Sequence, residues 1–171
     1  MIDRLHRRAE RGLDVTAWVA TMETISSPRR SRTVFLAGPT FNLLPDDEAM
    51  AQALASIANV LTEDGTVIVP LFVPEPVSPK EAGVPKRQVT PTGWIGWQVT
   101  GVNRDEESCT QTLTLRYERE HNGEVERIER DWVMHWVSVA RFEAMALEAG
   151  LRVVKAPDAI DHKPKDIILR P

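Results

Sequence analysis

The 171 residues include a single cysteine, Cys109, and a single tyrosine, Tyr117. A lone cysteine excludes an internal disulfide. His6, His121, His135 and His162 show no paired ligand spacing, so a structural zinc site has no support and no metal is expected. This cysteine usage suits a reducing, cytoplasmic compartment. Long apolar runs are also missing: none approaches the ~20 residues needed to span a bilayer, and the N-terminus is too charged and too broken for a signal peptide, so no membrane partner is expected. Positive charge is in deficit, with 21 Lys and Arg against 25 Asp and Glu, a net charge of -4 and a pI near 5.6, which argues against binding a nucleic-acid backbone. Arg4, Arg7, Arg8 and Arg11 crowd the first helix and read as its solvated face. No internal repeat or low-complexity segment is present.

What is there suffices for one domain over residues 1–171, since 42% of the residues are hydrophobic. The chain is organised around Ser31 to Pro76. An apolar run, Thr33 to Ala37, meets Gly38 and Pro39. After Asp46, Asp47 and Glu48 comes a helical pattern at Met50, Leu54, Ile57, Ala58 and Leu61, stopped by Gly65, and a second apolar run follows from Val67 to Val73. Strand, loop, helix, strand is the parallel crossover of open α/β sheets, whose ligands bind at the carboxyl ends of the strands. Pro45 suits the first helical turn and the acidic trio suits the positive end of the helix dipole. Before this unit, Ile2, Leu5 and Ala9 share one side of a short helix ending at Gly12, and Leu13 to Ala20 alternate as a half-buried strand.

Six prolines between Pro70 and Pro91 predict one long loop, with Val77 to Thr92 either a substrate cover or slack chain. Trp94 and Trp97, in Gly93 to Trp97, either line a pocket or fill core. Cys109 to Tyr117 alternates as an amphipathic strand, Asn122-Gly123 signals a tight hairpin turn, and the broken period of Val125 and Ile128 in the returning strand suggests a bulge. Ser138 caps a last helix with Phe142, Met145, Ala146 and Ala149 on one face. Gly150 ends it before a strand at Leu151 to Lys155, and Asp166 to Arg170 forms another.

The order of elements and several strings together resemble class I S-adenosylmethionine (SAM) dependent methyltransferases acting on small molecules, over nearly the whole chain. LAGPTFNLL with its acidic helix, then LTEDGTVIVPLFVP, resembles the family's fourth strand, fourth helix and fifth strand. Leu61-Thr-Glu-Asp-Gly65 stands where the family usually has L-x-x-G-G. DWVMHWVSVARFEAMALEAGLRVV resembles the cover strands, last helix and sixth strand. The implied fold is α/β, an incomplete Rossmann-like methyltransferase sheet of family strands four, five, seven and six with an added antiparallel β-hairpin, residues 98–134 being the inserted antiparallel strands.

The resemblance implies SAM as cofactor and a small-molecule acceptor. It places cofactor contacts at Ala20, Thr21 and Met22, ending the third strand, and at Gly38, Pro39 and Thr40 after the fourth. Phe41, Asn42, Trp94, Trp97, Arg116, Tyr117 and Trp136 would surround the substrate. His135 is the candidate proton acceptor, its alternative being a packed histidine with satisfied nitrogens. The chain has no G-x-G-x-G. The family's Gly-rich loop and the acidic residue ending strand two would lie before Met1, a difference of roughly two βα units or 60 residues. Without them the fourth strand has a bare edge, open to pairing with another chain. Two functions follow as expectations: a methyltransferase completed by an N-terminal half, or a non-catalytic remnant that dimerises or binds a partner.

Overall fold

The computed structural model describes residues 15–78 and 80–171. The expected helix at Met1 to Gly12 and the first residues of the expected strand, Leu13 and Asp14, lie outside the described residues, as does Pro79. The rest of that strand is not formed: residues 15–20 carry no regular structure and are mostly exposed. Their alternation is a strand signal, but no neighbouring strand among the described residues takes up their backbone groups, and a lone strand has nothing to bond to.

One sheet carries the α/β part. Strand β1 (Ser31–Phe35) pairs in parallel with β2 (Leu61–Leu71), β2 pairs antiparallel with β8 (Lys165–Arg170), and β8 with β7 (Arg152–Lys155), giving the order β1-β2-β8-β7. This is the expected run of family strands four, five, seven and six. Helix α1 (Asp47–Asn59) links β1 to β2, and α2 (Val139–Glu148) precedes β7. The N-cap of α1 is Asp46, whose carboxylate accepts from the Ala49 amide at 2.9 Å, so Pro45 precedes the helix instead of opening its first turn. Ser138 caps α2 by accepting from the Arg141 amide, and Gly150 follows with φ 78°.

Both helices bury their apolar stripes in the same core. Met50, Ala53, Leu54 and Ile57 of α1 and Phe142, Met145 and Ala146 of α2 cluster with Val67, Val69, Leu71, Ile167 and Leu169 of the sheet. Each fully buried aliphatic or aromatic side chain contributes about 1.5–3 kcal/mol, so this one layer of helices carries most of the domain's stabilisation. The opposite sheet face holds the registered row Phe35, Ile68, Ile168, and no described element packs across it; Phe35 remains 67% exposed.

The insertion is larger than a hairpin. Strands β3 (Lys86–Thr90), β4 (Gly93–Asp105), β5 (Thr110–His121) and β6 (Glu124–His135) form a second, antiparallel sheet in sequential order. The long proline loop is therefore shorter than expected. Pro85 and Pro91 only bracket β3, and a proline removes a donor at its own position without disturbing the five residues between. Pro70 is accommodated within β2 because it lies beyond the last β1 partner, Ile68, so its missing amide costs no bond to β1. The Asn122-Gly123 turn forms as expected, with φ of 53° and 86°. The bulge sits elsewhere: β5 and β6 pair residue for residue, whereas β4 shifts register between Val99 and Gly101.

Candidate functional site

At the carboxyl ends of β1 and β2 the chain turns through Gly38 (φ 74°) into a 3-10 turn, Thr40–Leu43. Phe41 is fully buried and meets Phe142 edge to face, with ring centroids 5.7 Å apart. Asn42 is buried and fully used: its amide nitrogen donates to the carbonyls of Phe72 (3.0 Å) and His135 (2.8 Å), and its oxygen accepts from the Phe72 amide. Phe41 and Asn42 thus tie the turn to α2, to the end of β2 and to the end of β6. These contacts turn both side chains into the protein.

His135 ends β6 beside this clamp. Its Nδ1 lies 3.1 Å from the Cys109 carbonyl and its Nε2 lies 2.8 Å from a carboxylate oxygen of Asp47. Both ring nitrogens therefore lie within hydrogen-bond distance of protein acceptors. The second Asp47 oxygen accepts from the Arg141 Nε at 2.6 Å. Partial burial works to raise the Asp47 pKa, but the hydrogen bonds and charges of His135 and Arg141 outweigh it and hold the carboxyl below its ordinary value. One carboxylate thereby joins the first turn of α1 to the second sheet and to α2.

Trp136 follows, buried, with the Arg104 guanidinium 4.3 Å from its ring centroid. Arg104 donates to the Pro74 carbonyl (2.8 Å) and to Gln111, and Gln111 donates to the Glu75 carbonyl (3.1 Å). These bonds fasten the segment after β2 to the second sheet. Among the described residues no buried side-chain polar atom lacks a partner. A cavity of about 640 Å³ opens at this end between the loops after β2, β6 and β7. Val73, Cys109, Trp136 and Ser138 line it, and Glu143 and Asp158 are its only charged lining residues.

The remaining expected site residues scatter. Trp94 lies under the Arg87 guanidinium at 4.0 Å, and Arg116 pairs with Glu129 across β5 and β6. Trp97 and Tyr117 line a separate cavity of about 730 Å³ on the outer part of the second sheet. Of the expected substrate residues, only Trp136 borders the cavity at the strand ends. Ala20 and Thr21 are exposed, and Met22 opens a 3-10 turn, Met22–Thr24, that rests on α1, where the Glu23 carbonyl accepts from Ser56 at 2.5 Å. Ser56 stands nine residues after Asp47, so this anchor is roughly 13 Å along α1 from the end beside Gly38 to Thr40.

The fit to SAM can be judged on this geometry. Gly38, Pro39 and Thr40 present an open backbone turn, and a Cβ at Gly38 would meet nothing within 4 Å. Ala20 to Met22 share no hydrogen bond with that turn, and neither cavity is lined by either group. Among the described residues these two groups do not come together as one site. Asp47, Arg104, Gln111 and Arg141 were not singled out as partners by sequence; Asp47 reads there as a helix-start charge, because its partners are 88 and 94 residues away.

No family model and no curated sequence matches the chain. Solved structures do. A SAM-dependent methyltransferase from Clostridium acetobutylicum superposes with a TM-score of 0.73 at 9% identity, covering 99% of this chain and 70% of its own. The sugar N-methyltransferase KedS8 from a Streptoalloteichus species gives 0.73 at 15% identity, covering 96% and 67%. SAM-bound CalS10, an amino pentose methyltransferase from Micromonospora echinaspora, gives 0.63 at 12% identity, covering 100% and 71%. Over almost its whole length, and across about seven tenths of theirs, the chain has a class I SAM-dependent methyltransferase-like fold.

Proposed function

We propose that the chain is the acceptor-side part of a methyltransferase for a small molecule, completed by a segment outside these 171 residues that brings the Gly-rich loop and the acidic strand end. SAM, when bound by the completed protein, supplies the electrophilic methyl group. The observation that carries this reading is the superposition of almost the whole chain, with its sheet β1-β2-β8-β7 and reversed β8, on solved SAM-dependent methyltransferases. In this reading Gly38, Pro39 and Thr40 form one wall of the cofactor cleft. Trp136, held by Arg104, forms an apolar wall of the acceptor cavity, and Glu143 and Asp158 orient polar groups of the acceptor there. His135 and Asp47 keep the β6 end in place, a positioning role, and the dry wall excludes water from the acceptor.

A second reading, a non-catalytic module that binds a partner, is favoured by the uncovered row Phe35, Ile68, Ile168 and the free edge of β1 among the described residues. Calorimetric titration of SAM separates the two. Into the 171-residue chain alone it should give no heat of binding; into the chain joined to the polypeptide encoded immediately upstream it should give a saturable signal. Tight binding by the lone chain would remove the need for an outside segment. Silence from the joined protein would leave the partner-binding reading.

A further inference from the structure

The walls of the 640 Å³ cavity at the strand ends are held in unlike ways. On one side the bonds are buried. Asn42, only 1% exposed, takes both backbone groups of Phe72, and the Trp136 amide donates to the Cys109 carbonyl at 3.0 Å while Arg104 covers the Trp136 ring. Opposite stands the loop between β7 and β8, residues 156–164, which brings Asp158, Ala159 and Ile160 to the cavity. Two hydrogen bonds tie it across to Val73, the residue after Phe72: the Val73 amide donates to the Asp161 carbonyl at 2.8 Å, and the Val73 carbonyl accepts from Nδ1 of His162 at 2.9 Å. Among the described residues these are the loop's only hydrogen bonds to another wall of the cavity.

We propose that this loop is a gate over the cavity, latched at Val73 by His162. His162 is exposed, and a carbonyl only accepts, so the latch is a single imidazole N–H bond at the water boundary. Such a bond breaks at far smaller cost than the Asn42 contacts, whose loss would strand buried polar groups. Local opening therefore starts at the loop. The loop is built to move as a piece. Pro157 and Pro164 bracket it, each with a fixed φ and no amide to donate to a neighbour. Within it the Asp161 carboxylate accepts from the Lys163 amide at 2.9 Å and pairs with Lys165 at 2.8 Å, local bonds that preserve the turn when the latch is broken. Ile160, half-buried against the margin of the core, is the plug that opening withdraws. Opening also carries away Asp158, one of the two charged lining residues, so closure restores charge as well as cover. That the gate admits a methyl acceptor rests on the methyltransferase reading; the motion itself does not.

Hydrogen exchange of the 171-residue chain, read amide by amide by nuclear magnetic resonance, tests the gate without SAM or an acceptor. In the wild type the Val73 amide should be less protected than the Phe72 amide beside it, because the loop alone releases the first and the Asn42 clamp holds the second. His162→Ala should lower Val73 protection about fivefold and leave Phe72 unchanged. His162→Asn, whose side-chain amide nitrogen can stand where Nδ1 stood, should keep the wild-type value. Cys109 is the only thiol and lines the cavity, so its alkylation by a bulky maleimide should quicken in His162→Ala by a similar factor. Val73 and Phe72 losing protection together in His162→Ala would overturn the proposal, as would Asn behaving like Ala. So would faster Val73 exchange with Cys109 labelling unchanged, which would leave the loop mobile but no cover. A joined protein that fails to bind SAM removes the methyltransferase reading and leaves these rates as they are.

Discussion

Asp47 opens α1, yet its two oxygens are spent on His135 and Arg141, from elements far away in the chain. Its carboxyl is held below its ordinary value in the folded state, so the contribution is fully present above the unfolded value near 4 and is lost as pH falls through the lower folded value. The melting temperature of the wild type should therefore fall on acidification below about pH 5, whereas Asp47→Asn should start lower at neutral pH and show a shallower acid limb. Equal acid limbs in thermal melts from pH 7 to 3 would contradict this role. His135 was legible as a candidate because its ring can carry a proton. Only the Cys109 carbonyl and the Asp47 carboxylate decide that both nitrogens are engaged.

Among the elements, the turn between α1 and the paired part of β2 depends on Gly65. A Cβ there would stand 2.5 Å from Leu61 Cγ and 2.8 Å from the Thr62 carbonyl oxygen, and the backbone oxygen cannot swing away. Gly65→Ala should cost about 1–3 kcal/mol, read as a lower urea midpoint at unchanged slope. This glycine was visible in sequence as punctuation, although the helix ends earlier, at Asn59, and Gly65 serves the irregular pairing before Thr66. The elements read from period and capping formed where expected: α1, α2, β5, the Asn122-Gly123 turn and the last two strands. Misreadings came where a local signal lacked its partner. Residues 15–20 alternate without a neighbouring strand, and Lys86–Thr90 gains one in β4 despite flanking prolines.

For the whole molecule, the row Phe35, Ile68, Ile168, over which no described element packs, and the apolar face of the second sheet are separate surfaces. Phe35→Glu should leave the lone chain's stability within about 0.5 kcal/mol, because Phe35 is already largely in water. It should abolish SAM binding in the completed protein; retained binding there would show that the row is not where the outside segment packs. By itself the sequence determined the parallel crossover, the helix faces and caps, the hairpin turn and the family likeness. All of these rest on periodicity and on backbone preferences that act within a few residues. Only the tertiary structure decided which candidates share a site. Trp136 came to the cavity, Trp97 and Tyr117 went to another surface, and Phe41 and Asn42 turned inward, because strand register and long-range hydrogen bonds set side-chain direction, and neither is written in local spacing.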